Sequence, residues 1–181
     1  MRKVLYILGY LSDDDIEWML AAGQRRHLPP GATLIREGQA SEALYIVLDG
    51  AVSIMLAALG GQAIDTKYSG ELLGEMSFID DRPASATVAA IQQAEVFVLE
   101  RSRLSARLER DTAFAARFYR AVSLFLSDRL RHSLTLITPG QRPPANQHAD
   151  AGRDELDLGQ LDAALLAGAR FERMLKRLMG G

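Results

Sequence analysis

Residues 28–55 read LPPGATLIREGQASEALYIVLDGAVSIM. Pro29-Pro30-Gly31 and Gly38 punctuate this stretch, because proline fixes φ and lacks a donor while glycine enters turn conformations that other residues resist. Around these breaks lie short runs at 33–36, 43–49 and 51–57, rich in the residues that suit a pleated, buried surface. Asp49-Gly50 joins the last two, and Asp-Gly between apolar runs predicts a hairpin.

The same texture extends from Gln24 to Glu100. Further runs at 25–28, 63–68, 87–90 and 95–99 are separated by Gly60-Gly61 and Ser69-Gly70. Many short strands at near-even spacing predict a roll rather than βαβ units. On the N-terminal side, Ser12 and Asp15 have capping-box spacing, with Asp in place of Glu, and the acidic turn Asp13–Asp15 suits the positive end of a helix dipole. Ile16, Met19 and Leu20 supply that helix with an apolar face, and Gly23 is placed to end it. Residues 4–8 are apolar, but the run is short and no small-residue cleavage site follows, so it reads as a buried segment rather than a signal peptide. On the C-terminal side, 101–110 and 111–137 read helical. Phe114, Phe118, Val122, Phe125, Leu126, Leu130 and Leu134 recur at 3–4 spacing along the longer one.

The predicted organisation is therefore one domain over residues 1–137, a polar linker at 138–154, and an amphipathic helical tail at 155–181 carrying Leu158, Leu161, Leu165, Ala169, Phe171, Leu175 and Leu178. The predicted class is mainly β with flanking α: a double-stranded, jelly-roll-like β-roll with an N-terminal helix, a short helix within the roll and a long helix after it. The net charge is −2, which argues against general attraction to nucleic acid or anionic membrane. There is no cysteine, so disulfides and thiolate chemistry are excluded, and the strand region holds only His27 as an imidazole.

Residues 72–89 read LLGEMSFIDDRPASATVA. With Gly31, Gly38, Gly50 and Gly74-Glu75 falling in order, residues 1–137 resemble the cyclic-nucleotide-binding domain family, the type found in catabolite activator protein and protein kinase regulatory subunits. The resemblance implies that 72–89 is the phosphate-binding cassette and that the ligand is a cyclic nucleotide such as cAMP or cGMP. A buried ring phosphate needs donors aimed at its oxygens, which a turn leading into a short helix provides. On this reading Gly74 lets the backbone pass close to a ligand, Glu75 accepts from the ribose 2′-hydroxyl, Ser85 and Ala86 donate to the phosphate, and Leu73, Met76 and Ser77 complete the lining.

One position departs from the family pattern. Where relatives carry an arginine ahead of the small pair and Thr-Val, this chain has Ala84 in Pro83-Ala84-Ser85-Ala86-Thr87-Val88. That arginine makes a charge-assisted contact to the phosphate, and loss of one partner of a buried charge pair costs roughly 2–5 kcal/mol. Arg82, two residues upstream, either swings in as a substitute or pairs with Asp80 or Asp81 in solvent.

On the long helix, Ser133 falls near the position from which relatives contact the base. The stripe with Phe118, Val122, Phe125 and Leu130 suits either an intramolecular core or a two-helix dimer seam, and the resemblance favours a homodimer. No nucleophile–base pair, carboxylate pair or metal cluster is legible, so the expected role is non-enzymatic, without cofactor or metal. A winged helix-turn-helix would need about 60 residues with a basic recognition helix; fewer follow Ile137, and the tail is nearly balanced in charge, so DNA binding is not expected. The expected setting is cytoplasmic, without membrane association. Two functions remain in competition: a weak or atypical nucleotide sensor acting on a protein partner through its long helix, and a ligand-independent assembly module that uses the tail.

Overall fold

The computed structural model describes residues 4–137 and 158–180, with side chains for 7–131 and 165–180. Two N-terminal helices, α1 (Val4–Tyr10) and α2 (Asp13–Ala22), precede eight strands: β1 (Gln24–Leu28), β2 (Thr33–Ile35), β3 (Ala43–Asp49), β4 (Ala51–Leu56), β5 (Gln62–Tyr68), β6 (Leu72–Leu73), β7 (Thr87–Ala90) and β8 (Ala94–Glu100). A short helix α3 (Glu75–Asp80) lies between β6 and β7, and α4 (Arg101–Arg110), α5 (Thr112–Ile137) and α6 (Leu158–Met179) follow the last strand. The strands form two antiparallel four-stranded sheets, ordered β1-β8-β3-β6 and β2-β7-β4-β5.

Asp49-Gly50 is not a hairpin turn. β3 pairs with β8 and β6, whereas β4 pairs with β5 and β7, so the turn carries the chain from one sheet to the other. Gly50 has φ 81°, and a Cβ there would lie 2.4 Å from the Gln93 carbonyl oxygen. The glycine serves a corner where two sheets meet, a geometry with the same local signature as a hairpin.

Two cores result. Leu28, Tyr45, Val47, Val52, Ile54, Leu73, Val88, Val96 and Val98 fill the space between the sheets. Leu44, Ile46, Leu48, Phe97 and Leu99, on the other face of the first sheet, pack with the helices. Both faces of β3 are thus buried, which is why its sequence is an uninterrupted apolar run. The predicted stripe of α5 belongs to the second core: Phe114 and Phe118 are fully buried, with Val122 and Phe125 within 1 % of it. Phe118, Val122 and Phe125 are therefore committed within the chain and unavailable as a dimer seam; of the four residues proposed for it, Leu130 is 61 % exposed.

The helices are fastened by buried charge. Ser12 Oγ accepts from Asp15 N at 3.2 Å and Asp15 Oδ2 accepts from Ser12 N at 2.8 Å, which is the predicted capping box. Asp15 also receives Arg117 of α5 in a two-point contact, Nε at 2.8 Å and Nη2 at 3.0 Å. The 138–154 linker lies outside the described residues. Beyond it, α6 packs on α1 and buries Ala167, Phe171 and Met174, while Leu165, predicted for the apolar face, is 67 % exposed. The same face buries a charge: Arg170 donates to the Leu8 and Leu11 carbonyls, each at 2.7 Å, and to Asp13 at 2.8 Å. Those carbonyls lie at the end of α1, where helical acceptors lack intrahelical partners. No described helix is long and apolar enough to cross a membrane.

Candidate functional site

β6 delivers the chain into the roll and Gly74 turns it. At φ 85° the residue is in the left-handed region, and an added Cβ would stand 2.6 Å from the Ala43 carbonyl oxygen and 3.0 Å from Ser41 Oγ. Both the conformation and the space demand glycine. The turn places Glu75 at the start of α3 with 3 % exposure. The far end of α3 is fixed by Arg101, which donates to the Ser77 carbonyl at 2.8 Å, pairs with Asp81 and lies over the Phe78 ring. Ala84 is tied at both backbone groups to the β2–β3 loop: its N–H donates to the Gln39 carbonyl at 2.8 Å, and its carbonyl accepts from Gly38 N at 2.9 Å.

These segments enclose a cavity of about 60 Å³ inside the roll. Ile35, Ile54, Leu73 and Val88 form apolar walls; Gly74, Glu75, Met76 and Ser77 form one rim, and Ala84, Ser85 and Ala86 the other. Every residue assigned to the cassette from the sequence is thus brought together, with one exception. Arg82 is not among the lining residues: its side chain is 83 % exposed and faces Asp80. Ser133 lies on α5, with its side chain outside the described residues.

The residue that completes the site was not singled out from the sequence. Arg129 of α5 reaches into the cavity lining and donates through Nη1 to Glu75 Oε1 at 2.5 Å. A signal existed: Phe118, Val122, Phe125 and Arg129 are spaced 4, 3 and 4 apart, so the arginine continues the buried stripe. Burial pushes the Glu75 carboxyl above its ordinary 4.5, outweighing the opposing pull of Arg129, of its own backbone hydrogen bond and of Lys67. The cavity is small beside the roughly 300–1,000 Å³ of most ligand sites, and Arg129 is one of the residues that line it. Its lining combines one carboxylate, one cation, two serines and apolar walls. A larger, open depression of about 510 Å³ beside Arg26, Glu42, Glu100 and Ser105 shares no residue with it. Among the described residues no group of three or more His, Cys, Asp or Glu is placed to hold a metal ion.

The sequence profile of the family described as "Cyclic nucleotide-binding domain" matches residues 25–111, from β1 to the end of α4. Residues 25–111 belong to the cyclic nucleotide-binding domain family. The chain is 33 % identical over 102 residues to the cyclic AMP receptor protein of Thermus thermophilus, an alignment covering 55 % of this chain and 47 % of that protein. It is 24 % identical over 169 residues to a cAMP-activated global transcriptional regulator of Escherichia coli, covering 83 % and 80 %. The chain thus spans about half the length of the first of these relatives. Among solved structures, a cyclic nucleotide-binding domain from Methylobacillus flagellatus superposes with TM-score 0.67 at 25 % identity, covering 77 % of this chain and 85 % of that one. The Thermus thermophilus catabolite activator protein superposes with TM-score 0.61 at 24 % identity, covering 97 % and 87 %. The β-roll, the short helix within it and the long helix after it match the fold of these cyclic nucleotide-binding domains.

Proposed function

We propose that this domain is a non-catalytic regulator with weak affinity for cAMP or cGMP, and that it acts on a protein partner through α5. Ala84 carries the reading: it occupies the rim of the cavity where a cation would meet the ligand's phosphate, and the exposed Arg82 does not replace it. The protein works without a metal or other cofactor, in the cytoplasm, away from membrane and DNA. It pairs as a homodimer along the apolar residues that α5 leaves exposed, Tyr119, Leu124 and Leu130.

Calorimetric titration with cAMP and cGMP tests this. The wild-type domain is expected to give no saturable heat at micromolar ligand, and Ala84→Arg to gain at least about 30-fold in affinity, the lower end of what one partner of a buried charge pair is worth. Saturable micromolar binding by the wild type would overturn the reading.

A second reading is favoured by the small, pre-filled cavity: an assembly module that needs no ligand and uses α6, whose Leu165 and Leu166 are exposed, as a contact. Complexes that survive deletion of residues 155–181 would remove the tail from that reading.

A further inference from the structure

Tyr45 is 4 % exposed, and no described residue hydrogen-bonds its hydroxyl. Its side chain lines the open depression of about 510 Å³ at the start of β3, where Ala43 and Val98 supply the rest of a buried floor. Burial raises the Tyr45 phenol above its ordinary 10.0, while Arg26 pulls it down and Glu42 pushes it up. The hydroxyl therefore stays protonated at neutral pH, within the field of both charges. Arg26 and Glu42 are exposed members of the same lining, and neither forms an ion pair with the other or with any other described residue. The two further charges of the wall are committed: Glu100 pairs with Arg103 at 3.5 Å, and Arg101 pairs with Asp81 and donates to the Ser77 carbonyl at 2.8 Å. On the remaining side, Glu100 caps α4 without placing a side-chain oxygen on the first-turn amides, which leaves the helix start open as a donor beside Ser102 and Ser105.

A ligand in this depression meets one uncommitted cation, one uncommitted carboxylate and a buried phenol that has a proton to donate. A simple anion would leave Glu42 facing it, and a simple cation would meet Arg26 and the positive start of α4. A molecule carrying both charges answers all of them. We propose that the depression is a binding site for a small zwitterion of amino-acid or dipeptide size. Its carboxylate would take Arg26, the Tyr45 hydroxyl and the start of α4, its ammonium would take Glu42, and an apolar side chain would lie on Ala43 and Val98. The volume falls within the roughly 300–1,000 Å³ of most ligand sites. The depression shares no residue with the cassette cavity, so the proposal does not rest on the cyclic nucleotide reading.

NMR titration of the isotope-labelled full chain with glycyl-leucine tests this. Two blocked peptides accompany it: N-acetylglycyl-leucine lacks the ammonium, and glycyl-leucinamide lacks the carboxylate. Glycyl-leucine should give saturable shifts at the amides of Arg26, Glu42, Ala43 and Ser102. Each blocked peptide should bind at least about ten-fold more weakly, the low end for a hydrogen bond to a charged group. Arg26→Gln and Glu42→Gln change exposed residues, so both should melt as the wild type does and bind glycyl-leucine about ten-fold more weakly. Tyr45→Phe keeps the ring and should also weaken binding, which a contact made by the exposed charges alone would not show. No saturable shift up to millimolar glycyl-leucine, equal binding of the blocked peptides, or shifts confined to residues 72–89 overturns the proposal. The experiment contains no nucleotide, so its failure leaves the cassette reading standing.

Discussion

Arg170 of α6 donates to the Leu8 carbonyl at 2.7 Å across 162 residues of chain, and so closes the end of α1 with a side chain from the last helix. The same guanidinium takes the Leu11 carbonyl and Asp13. Arg170→Met keeps the apolar stem but leaves two buried carbonyls without these donors, at about 1–3 kcal/mol each. Thermal denaturation should show the loss, and exchange at α1 should quicken. A melting temperature within a degree of wild type would mean that α6 does not hold α1.

Asp15 links α2, α4 and α5. Burial alone would raise its pKa, but hydrogen bonds from Arg117 and Ser12 and the Arg117 charge outweigh burial and hold the carboxyl below its ordinary 3.8. A carboxylate depressed in the fold contributes stability that is present above pH 3.8 and lost as pH falls through the folded value. Asp15→Asn should cost about 1.5–3 kcal/mol at pH 7, the range for hydrogen bonds to a charged group. Its deficit relative to wild type should shrink below pH 3.8. A deficit that stays constant from pH 7 to pH 3 would rule out the ionised Asp15–Arg117 contact as its source.

Glu75 has the opposite sign. Its pKa is raised, so the folded chain holds the proton more tightly than the unfolded chain, and this carboxyl costs stability increasingly as pH rises above 4.5. Glu75→Gln should therefore melt higher than wild type at pH 8, with no advantage at pH 4. Denaturation of both proteins at the two pH values decides; a variant less stable at pH 8 refutes the sign.

Along α5 the fold separates residues that the sequence alone treats alike. Phe118→Ala empties a fully buried site and should cost about 3–5 kcal/mol. Leu130→Glu changes a residue that is 61 % exposed and should leave the melting temperature near wild type. If Leu130 lies in a homodimer contact, sedimentation should show Leu130→Glu as a monomer; an unchanged sedimentation coefficient would move the contact elsewhere.

Much of this was legible in residue order. β3 and β7 run over the predicted 43–49 and 87–90, and Arg101–Arg110 is a helix from end to end, because apolar run length and turn residues fix such elements locally. β6 escaped notice because two residues, Leu72 and Leu73, show no period. The Asp49-Gly50 corner was misread because local chemistry cannot say which sheet the next strand joins. Apart from Arg82, the residues named for the cassette line one cavity, since Gly74-Glu75 and Ser85-Ala86 stand at fixed places in one loop. Arg129 and Arg170 were not singled out: each stands at the spacing of its helix's buried stripe, and whether such an arginine faces water or a buried acceptor depends on what packs opposite. Leu165 failed for the same reason, since the buried side of α6 is set by α1 and not by α6 alone.

β3 contributes Leu44, Ile46 and Leu48 to the helical layer and Ala43, Tyr45 and Val47 to the roll. A strand with no outward side is a shared wall. Tyr45 lies 3.5 Å from where a side chain at position 74 would begin, and its neighbours Leu44 and Ile46 belong to the same cluster as Phe118. Any displacement at the rim of the cavity is thus met, one residue away along the same backbone, by the surface against which the long helix rests, so the two halves of the domain must rearrange together.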